Sequence, residues 1–175
     1  VSYLKNSIGV VTCNKIACAS NLNNYNNIKK TARRFVTPFL FETNVGAALP
    51  IIDTLNNLVA SGDKIFEIQA ILSGSLNYIF NNYTLETTFK NVVEKAQKEG
   101  YTEPDPKIDL SGIDVARKIL ILGRESGYKL ELSNIRNNSF LPEEVLRSSN
   151  NDELFKSIDR NENHFRSILK NAIEK

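Results

Sequence analysis

Residues 100–118 contain the side chains whose types and spacing best suit chemistry on a small polar molecule. Glu103 and Asp109 precede Asp114 and Lys118, so carboxylates and an ammonium group follow one another within a short stretch. Carboxylates can bind a substrate ammonium group, and a lysine can protonate an oxygen that gains negative charge. On pattern alone, an exposed acidic loop before an amphipathic helix is the more common structure.

The same stretch is predicted to run from a stiff loop into a helix. Pro104 and Pro106 fix φ and lack backbone donors, which limits the shapes that this loop can take. A helix is predicted over residues 110–127, where Asp114 and Lys118 are neighbours because they lie four positions apart. If the loop excludes water from this pair, the pair becomes a proton donor with an adjustable pKa. The apolar face contains Ile113, Val115, Ala116, Ile119, Leu120 and Leu122, and the polar face contains Asp114, Arg117, Lys118, Arg124 and Glu125.

A second group of candidates follows two short apolar runs near the start of the chain. Residues 8–12 are predicted to form a buried strand that ends just before Lys15, and residues 39–41 a second strand that ends before the turn 42–50. Polar residues after strands lie at the sheet edge where ligands bind in α/β proteins. The turn holds small residues and Gly46, so its carbonyls could approach a ligand or cation. A solvated lysine and an ordinary tight turn remain alternatives.

The remaining pattern is mainly helical. Residues 64–72 alternate with one fully apolar face, which predicts a strand, and Ser73–Ser75 predict a helix start that could bind an anion or a carbonyl oxygen. Other predicted elements are a helix over 20–34 with Ser20 as N-cap, helices over 49–60 and 76–83, a helix capped by Thr87 or Thr88 that ends at Gly100, an extended piece at 139–141, a helix start at Pro142 and a terminal helix from about Asp152.

The composition is typical of a soluble globular protein. Of 175 residues, 41% are hydrophobic and 24% charged, and the net charge is +2. This balance gives no reason to expect nucleic acid or a membrane as a partner, and there is no signal-peptide pattern. Two cysteines, Cys13 and Cys18, and one histidine, His164, do not make a usual zinc cluster. We therefore expect a reducing, cytoplasmic location.

Four stretches of the sequence together resemble the homoserine dehydrogenase family. They are Val-Thr-Cys-Asn-Lys (11–15), Glu-Thr-Asn-Val-Gly-Ala-Ala-Leu-Pro (42–50), Ile-Leu-Ser-Gly-Ser-Leu-Asn-Tyr-Ile-Phe (71–80) and the stretch 100–118 described above. The resemblance runs in the family's order to about residue 145 and is closest to the dehydrogenase part of bifunctional aspartokinase–homoserine dehydrogenases. It implies an α+β catalytic and dimerisation domain with a mixed β-sheet covered by helices.

The resemblance also implies a reaction and its partners. The family interconverts L-aspartate 4-semialdehyde and L-homoserine with NADP or NAD, on the route from aspartate to threonine and methionine. A monovalent cation, Na+ or K+, and a homodimer or higher homo-oligomer are implied as well. The choice between NADP and NAD, the inhibition by threonine and the attachment of a kinase domain stay open.

The family's site residues are carried over position by position. Lys118 resembles the proton donor to the carbonyl oxygen, Lys15 the second lysine near nicotinamide and substrate, and Asp109 the carboxylate that orients the lysine or a water. Substrate binding is implied for Glu103, Asp114, Gly100 and Ser75, cofactor binding for Thr12, Asn14, Lys15 and Gly74, and cation binding for the backbone carbonyls of Glu42, Val45, Ala47 and Leu49.

The chain departs from the family pattern in two respects. It lacks the Gly-x-Gly-x-x-Gly fingerprint of the nucleotide-binding domain. It also lacks the family's last strands, which follow the terminal helix. We therefore expect residues 1–40 to be the remnant of that domain, and residues 41–175 to be a catalytic and dimerisation domain truncated at its C-terminal end. The absence of Met and the start at Val1 also indicate a piece of a longer protein. Such a fragment is expected to bind NAD(P) poorly and to be weak or inactive alone.

Two other functions compete with this interpretation. Cys13 could be the nucleophile of a semialdehyde dehydrogenase that forms a thioester, although such chemistry needs a positioned histidine base and His164 lies far along the chain. Alternatively, the chain could be a non-catalytic dimerisation module of a larger biosynthetic enzyme, with residues 64–72 pairing across a two-fold axis.

Overall fold

The computed structural model describes residues Val1–Glu174, so the last position of the predicted domain 41–175 lies outside the described residues. Two short strands and ten helices follow one another along these residues. They are α1 (Ser2–Lys5), β1 (Val10–Val11), α2 (Leu22–Arg34), β2 (Phe39–Leu40), α3 (Ile51–Ala60), α4 (Gly74–Asn82), α5 (Phe89–Lys98), α6 (Pro106–Leu110), α7 (Ile113–Glu125), α8 (Glu143–Leu146), α9 (Asn151–Arg160) and α10 (Glu162–Ile173), with 3-10 turns at Glu42–Asn44 and Leu132–Asn134.

The chain divides into two compact units. Unit 1 contains Val1–Leu72 and Val115–Arg136, and unit 2 contains Ser73–Asp114 and the chain from Asn137 onwards. This division does not coincide with a boundary at residue 40, because β1 and β2 with their following turns belong to the same unit. The domains predicted for residues 1–40 and 41–175 stay a prediction.

Unit 1 is built around the parallel pair β1–β2. Val10 pairs with Phe39 and Val11 with Leu40, and the amide of Thr12 continues the ladder by donating to the Leu40 carbonyl at 2.9 Å. Both predicted strands are therefore present, each reduced to two residues. The apolar core beside them consists of Cys18, Phe41, Val45, Ile52, Leu55, Ile121 and Leu122.

The predicted strand over residues 64–72 is wrong for the part of the chain that the structure describes. These residues have no assigned strand, although Ile65 and Leu72 pack against the core of unit 1. Phe66 is 90% exposed and Ile71 is 81% exposed. Alternation of apolar and polar residues indicates extended backbone, but a strand also needs a neighbouring backbone to accept and donate its hydrogen bonds.

Unit 2 is helical and has an aromatic core. Phe89 of α5 stacks on Phe165 of α10 with ring centroids 4.1 Å apart, and Phe140 meets both rings edge-on. Around them pack Ile79, Tyr83, Val92, Val93, Ala96, Leu110, Leu141, Val145, Leu154 and Ile158. These residues recur at helical spacing, so one apolar face of each helix is buried.

Several helix ends differ from their predictions for local reasons. Asn21, not Ser20, caps α2, because its side chain accepts from the amide of Asn24 at 2.8 Å. The predicted helix 110–127 begins only at Ile113, because Gly112, whose φ is +73°, separates α7 from the short helix α6 before it. The predicted terminal helix is divided at Asn161. The cap predicted at Thr87 or Thr88 is Thr88.

The α+β class is confirmed as a mostly helical fold with a small parallel sheet. No helix within residues 1–174 is both long and apolar enough to cross a membrane.

Candidate active site

The segment after β1 carries Thr12, Asn14 and Lys15 in a series of tight turns. The amide of Asn14 donates to the Thr12 hydroxyl at 3.1 Å, and the Asn14 side chain accepts from the amide of Ile16 at 2.8 Å. The Lys15 carbonyl accepts from the amide of Ala19 at 2.8 Å. Small polar side chains that bond neighbouring amides are typical of such turns, so this backbone is ordered by local hydrogen bonds.

The turn after β2 reverses the chain with two positive φ angles. Gly46 has φ +82° and Ala47 has φ +51°, and a Cβ at Gly46 would approach a side-chain carbon of Ile51 to 2.6 Å. Only glycine adopts such a conformation at low cost. The turn is also tied to α3, because the Glu42 carboxylate accepts from the amides of Ile52 at 2.7 Å and Asp53 at 2.8 Å.

The carbonyls of this turn are compatible with a cation. The Glu42 and Leu49 carbonyls each accept one backbone hydrogen bond, and a carbonyl oxygen has a second lone pair for a cation. Among residues 1–174, no three or more His, Cys, Asp and Glu side chains cluster as a metal site. Any cation at this turn is therefore expected to be held mainly by carbonyl oxygens, which suits a hard ion.

Asn44 links the two turns and was not identified from the sequence. It is 1% exposed. The side-chain atom that lies 3.2 Å from the Thr12 carbonyl and 2.9 Å from the Cys13 carbonyl is assigned as the amide nitrogen, because only a donor can bond to both. A buried amide requires such partners, because an unpaired polar group away from water is costly. The structure thus brings the turn 42–49 and the segment that carries Lys15 together within unit 1.

Lys118 lies on α7, half-buried, with its ammonium group directed at the end of the segment 64–72. Its Nζ donates to the Leu72 carbonyl at 2.6 Å. Asp114 lies four positions earlier, in the first turn of the same helix. The predicted helical spacing of Asp114 and Lys118 is therefore confirmed, and their roles stay predictions.

Two residues predicted on the polar face of this helix are buried instead. Arg124 is 4% exposed and Glu125 is 6% exposed. Arg124 donates to the carbonyls of Cys18, Ser20 and Leu130 and to the Glu131 carboxylate. Helical periodicity could not reveal this, because the segment 18–20 and α2, which bond to Arg124 and Glu125, are distant in the sequence.

Glu125 is the centre of a buried polar cluster. Its carboxylate accepts from the Tyr25 hydroxyl and lies 2.8 Å from the Lys29 ammonium. Burial, reinforced by the charge of Glu125, raises the pKa of Tyr25 above its ordinary value. The same two causes raise the pKa of the Cys18 thiol to about 12. Both groups therefore stay protonated in the folded protein well into the alkaline range.

In unit 2, the Asp109 carboxylate brings three of the predicted residues together. One oxygen accepts from the Ser75 hydroxyl at 2.7 Å, and the other accepts from the amide of Glu103 at 2.9 Å. Ser75 is 7% exposed, while the Glu103 side chain is exposed. Asp109 thus fixes the loop that presents Glu103, although Ser75 and Asp109 are 34 positions apart.

The acidic loop is shorter than predicted, because its second half is helical. Asp105 caps α6 by accepting from the amide of Lys107 at 3.0 Å, and Pro106 occupies the first turn. A proline is well tolerated there, since that position needs no backbone donor. Asp109 therefore lies on a helical turn and not in a loop.

The predicted glycines occupy the ends of helices. Gly74 begins α4, next to Ser73, whose side chain accepts from the amide of Leu76 at 3.1 Å. No atom lies within 4 Å of the place where a Cβ of Gly74 would be. Gly100 follows α5 with φ +77°, a conformation that commonly ends a helix. Both positions are exposed, so each leaves room for a ligand.

The residues of the competing thioester mechanism have other surroundings. Cys13 is exposed in unit 1. In unit 2, a ring nitrogen of His164 lies 2.8 Å from the Phe140 carbonyl, and the ring packs edge-on against Phe165. His164 thus contributes to the packing of unit 2.

Comparison with known proteins identifies the class to which this arrangement belongs. The chain is 46% identical over 170 residues to a bifunctional aspartokinase/homoserine dehydrogenase of Zea mays, which covers 97% of this chain and 18% of the relative. A crystal structure of a Candida auris protein of unknown function superposes with a TM-score of 0.91 at 34% identity, over 99% of this chain and 50% of that one. The structure of a hyperthermophilic archaeal homoserine dehydrogenase in complex with NADPH superposes with a TM-score of 0.63 at 30% identity, over 77% of this chain and 43% of that one.

The model of the homoserine dehydrogenase family matches residues 50–174. The chain therefore belongs to the homoserine dehydrogenase family, which is a family of oxidoreductases. It spans less than a quarter of the curated bifunctional relative from Zea mays and half of the Candida auris chain.

Proposed function

We propose that this chain supplies substrate-binding and proton-donating residues of an NAD(P)-dependent homoserine dehydrogenase that interconverts L-aspartate 4-semialdehyde and L-homoserine. The observation that carries the proposal is that the family match contains Lys118 together with the carboxylates of residues 103–114. The activity belongs to the parent protein, meaning the natural polypeptide that contains this chain. Its product leads towards threonine and methionine.

Lys118 is proposed as the proton donor. Nicotinamide, when bound, supplies the hydride that reduces the aldehyde carbon. Negative charge then develops on the carbonyl oxygen, which an ammonium group can first stabilise and then protonate. The hydrogen bond from Lys118 to the Leu72 carbonyl supports this role, because it restricts a long flexible side chain to one direction. Lys15 is proposed as the second lysine, near nicotinamide and substrate.

The carboxylates are proposed to hold the amino-acid part of the substrate. Glu103 and Asp114 can bind its ammonium group by charge-assisted hydrogen bonds. Asp109 keeps lone pairs beyond those used by Ser75 and the Glu103 amide, and it is proposed to orient the lysine or a water molecule. Ser75 and Gly100 are proposed to line the substrate site.

Residues beside the two strands are proposed to contact the cofactor and a cation. The side chains of Thr12 and Asn14 are occupied within their own turns, so we expect the backbone of that segment to contact NADP or NAD. The open space beside Gly74 is compatible with such contact. A Na+ or K+ ion is proposed at the carbonyls of Glu42, Val45, Ala47 and Leu49, where it would rigidify the turn.

The test is NADPH oxidation by the parent protein with L-aspartate 4-semialdehyde. We expect turnover in the parent protein and little or none in the isolated 175-residue chain. Activity that is abolished by Cys13→Ser but retained in Lys118→Ala would favour the thioester mechanism and contradict this proposal. Arg147→Ala is a suitable control, because the Arg147 side chain is 80% exposed and its ion pair with Glu143 lies at the surface.

A homodimer or higher homo-oligomer is proposed as the second property of the chain. The segment 64–72 supports it, because it exposes Phe66 and Ile71 without pairing to a strand within residues 1–174. Such an edge can pair with a second copy across a two-fold axis. Sedimentation of the isolated chain tests this idea, and a strict monomer contradicts it. A cytoplasmic location also remains a prediction, although the name of the Zea mays relative places that protein in the chloroplast.

A further inference from the structure

The backbone around Lys15 is held from both sides by buried side chains of other elements. Local turns order the segment 12–20, but β1 ends at Val11 and the next helix begins only at Leu22. A segment without regular structure needs contacts to the rest of the fold if its position is to be fixed. Arg124 and Asn44 make such contacts, one at each end.

Arg124 bonds to the peptide group that joins Cys18 to Ala19. Its Nη1 donates to the Cys18 carbonyl at 2.8 Å and to the Ser20 carbonyl at 2.7 Å. The carbonyl of Cys18 and the amide of Ala19 belong to one rigid peptide plane. On the other side of that plane, the Ala19 amide donates to the Lys15 carbonyl at 2.8 Å. The guanidinium therefore orients the peptide group that bonds to the backbone of Lys15.

The Arg124 side chain is itself held rigidly. Its Nε donates to the Leu130 carbonyl at 3.0 Å, and its Nη2 donates to the Glu131 carboxylate at 3.1 Å. Glu131 in turn accepts from the amide of Leu22 at 2.8 Å, at the start of α2. A fully buried cation is costly without partners, and here each of the three guanidinium nitrogens donates to an acceptor. This geometry needs a guanidinium, because an ammonium group is a point charge without a planar fork.

Asn44 holds the opposite end in the same manner. Its amide donates to the Cys13 carbonyl at 2.9 Å, and the next amide in that peptide plane, from Asn14, donates to the Thr12 hydroxyl at 3.1 Å. Lys15 therefore lies between two peptide groups that are each bonded on both sides. Its backbone has little freedom to shift.

We propose that Arg124 is a positioning residue for Lys15, with Asn44 as its counterpart at the other end of the segment. The proposal rests on the proposed function, in which Lys15 acts beside nicotinamide and substrate. Arg124 does not need to touch substrate or cofactor for this role. It acts by keeping the Lys15 backbone in the position from which the side chain reaches the reacting groups.

The test compares Arg124→Lys with Lys15→Ala in the parent protein, singly and combined. We expect Arg124→Lys to lower kcat by about 10- to 100-fold, with a smaller change in KM, because misplacement by about 1 Å costs that much. In the Lys15→Ala background the same substitution is expected to add less than about twofold, since residues that act through one another are not additive. A full additional loss in that background would overturn the proposal.

A second readout does not depend on turnover. The rate at which trinitrobenzenesulfonate modifies Lys15, measured by peptide mass spectrometry across pH, reports its surroundings directly. We expect Arg124→Lys and Asn44→Asp to shift this pH profile, the latter because a carboxylate repels the carbonyls that the amide binds. An unchanged profile in both variants would overturn the proposal. If Arg124→Lys does not fold, the pH profile of Lys15 modification in Asn44→Asp alone tests the proposal.

Arg166→Lys is the matched control. Arg166 also donates to three backbone carbonyls and to a carboxylate, but in unit 2. The substitution Arg166→Lys should lower the free energy of unfolding without changing the pH profile of Lys15 modification. Failure of the proposed function has a different signature, since Lys15→Ala and Lys118→Ala would then both retain turnover.

Discussion

Arg124 in unit 1 and Arg166 in unit 2 perform the same structural task with different consequences. Each guanidinium donates to three backbone carbonyls and to one carboxylate. Arg166 fixes the turn 84–87 that leads into α5 and the aromatic core, whereas Arg124 fixes the segment that carries Lys15. The same set of hydrogen bonds can therefore serve different purposes. The purpose depends on which residues lie on the backbone segment that the arginine holds.

The interiors of the two units differ in a related way. Unit 1 buries charged and polar groups around Glu125 and Arg124, while the core of unit 2 is apolar and aromatic. A buried charge network depends on every partner, but an apolar core depends mainly on its packed volume. We expect substitutions in unit 1 to change the position and protonation of the residues that its buried charges contact. We expect substitutions in the core of unit 2 to change the free energy of unfolding.

The largest expected effect is on the chemistry of unit 1. Lys118→Ala in the parent protein should lower kcat by about 10²- to 10⁴-fold, because general acid catalysis contributes that much. Steady-state NADPH oxidation measures it, with Arg147→Ala as the control of similar charge loss. A variant with undiminished kcat would contradict the role of Lys118.

The next effect concerns the core of unit 2. Phe89 is 1% exposed and stacks on Phe165, so Phe89→Ala should reduce the free energy of unfolding by about 3–5 kcal/mol. Tyr3→Ala is the matched control in unit 1, since Tyr3 is 65% exposed and its loss should change little. Urea denaturation followed by circular dichroism distinguishes them, and equal losses would erase the proposed contrast.

A smaller effect is expected at the acidic loop. Glu103→Gln should raise KM for aspartate semialdehyde by about 10- to 100-fold, because a hydrogen bond to a charged group contributes about 1.5–3 kcal/mol. The protein should stay equally stable, since it is the Glu103 amide, not its carboxylate, that Asp109 binds. A change in stability with unaltered KM would assign Glu103 a structural role instead.

The last effect, which is the smallest when expressed per pH unit, is a pH dependence of stability in unit 1. The pKa of Cys18 is raised from 9.0 to about 12 in the folded protein, so the unfolded chain releases this proton first as pH increases. The free energy of unfolding should therefore be fully maintained below pH 9.0 and fall between pH 9.0 and about 12. The slope is about 1.4 kcal/mol per pH unit for one proton.

Cys18→Ala tests whether the Cys18 thiol causes this loss of stability at alkaline pH. The substitution should reduce the alkaline slope by about one proton, measured as urea denaturation at a series of pH values. Tyr25→Phe should reduce it further, because burial also raises the pKa of Tyr25. An unchanged slope in both variants would place the titrating groups elsewhere.

Local sequence signals predicted many elements correctly. Thr88 caps α5 and Pro142 stands at the start of α8, as short-range hydrogen bonding and a fixed φ dictate. The strands at residues 10–11 and 39–40 were recognisable because short β-branched and aromatic runs ended in polar residues. The carboxylates and Lys118 were also recognisable from the sequence, because they lie close together in a single stretch of the chain.

Residues whose partners are distant in sequence escaped prediction. Arg124 and Glu125 share a polar face by periodicity, yet the segment 18–20 and α2 cover them and turn that face into an interior. Asn44 looks like an ordinary turn residue until its carbonyl partners on Thr12 and Cys13 are known. No local pattern reports which element will pack on a given face.

The sequence by itself therefore determined the local conformations, the family and the chemical inventory of this chain. Those properties depend on neighbouring residues and on side-chain type, both of which can be read along the chain. Only the tertiary structure decided that Asp109 joins Ser75 to Glu103, that Lys118 points at Leu72, and that Arg124 is buried. Each of these contacts joins distant segments, and which segments meet depends on how the whole chain packs its apolar surfaces.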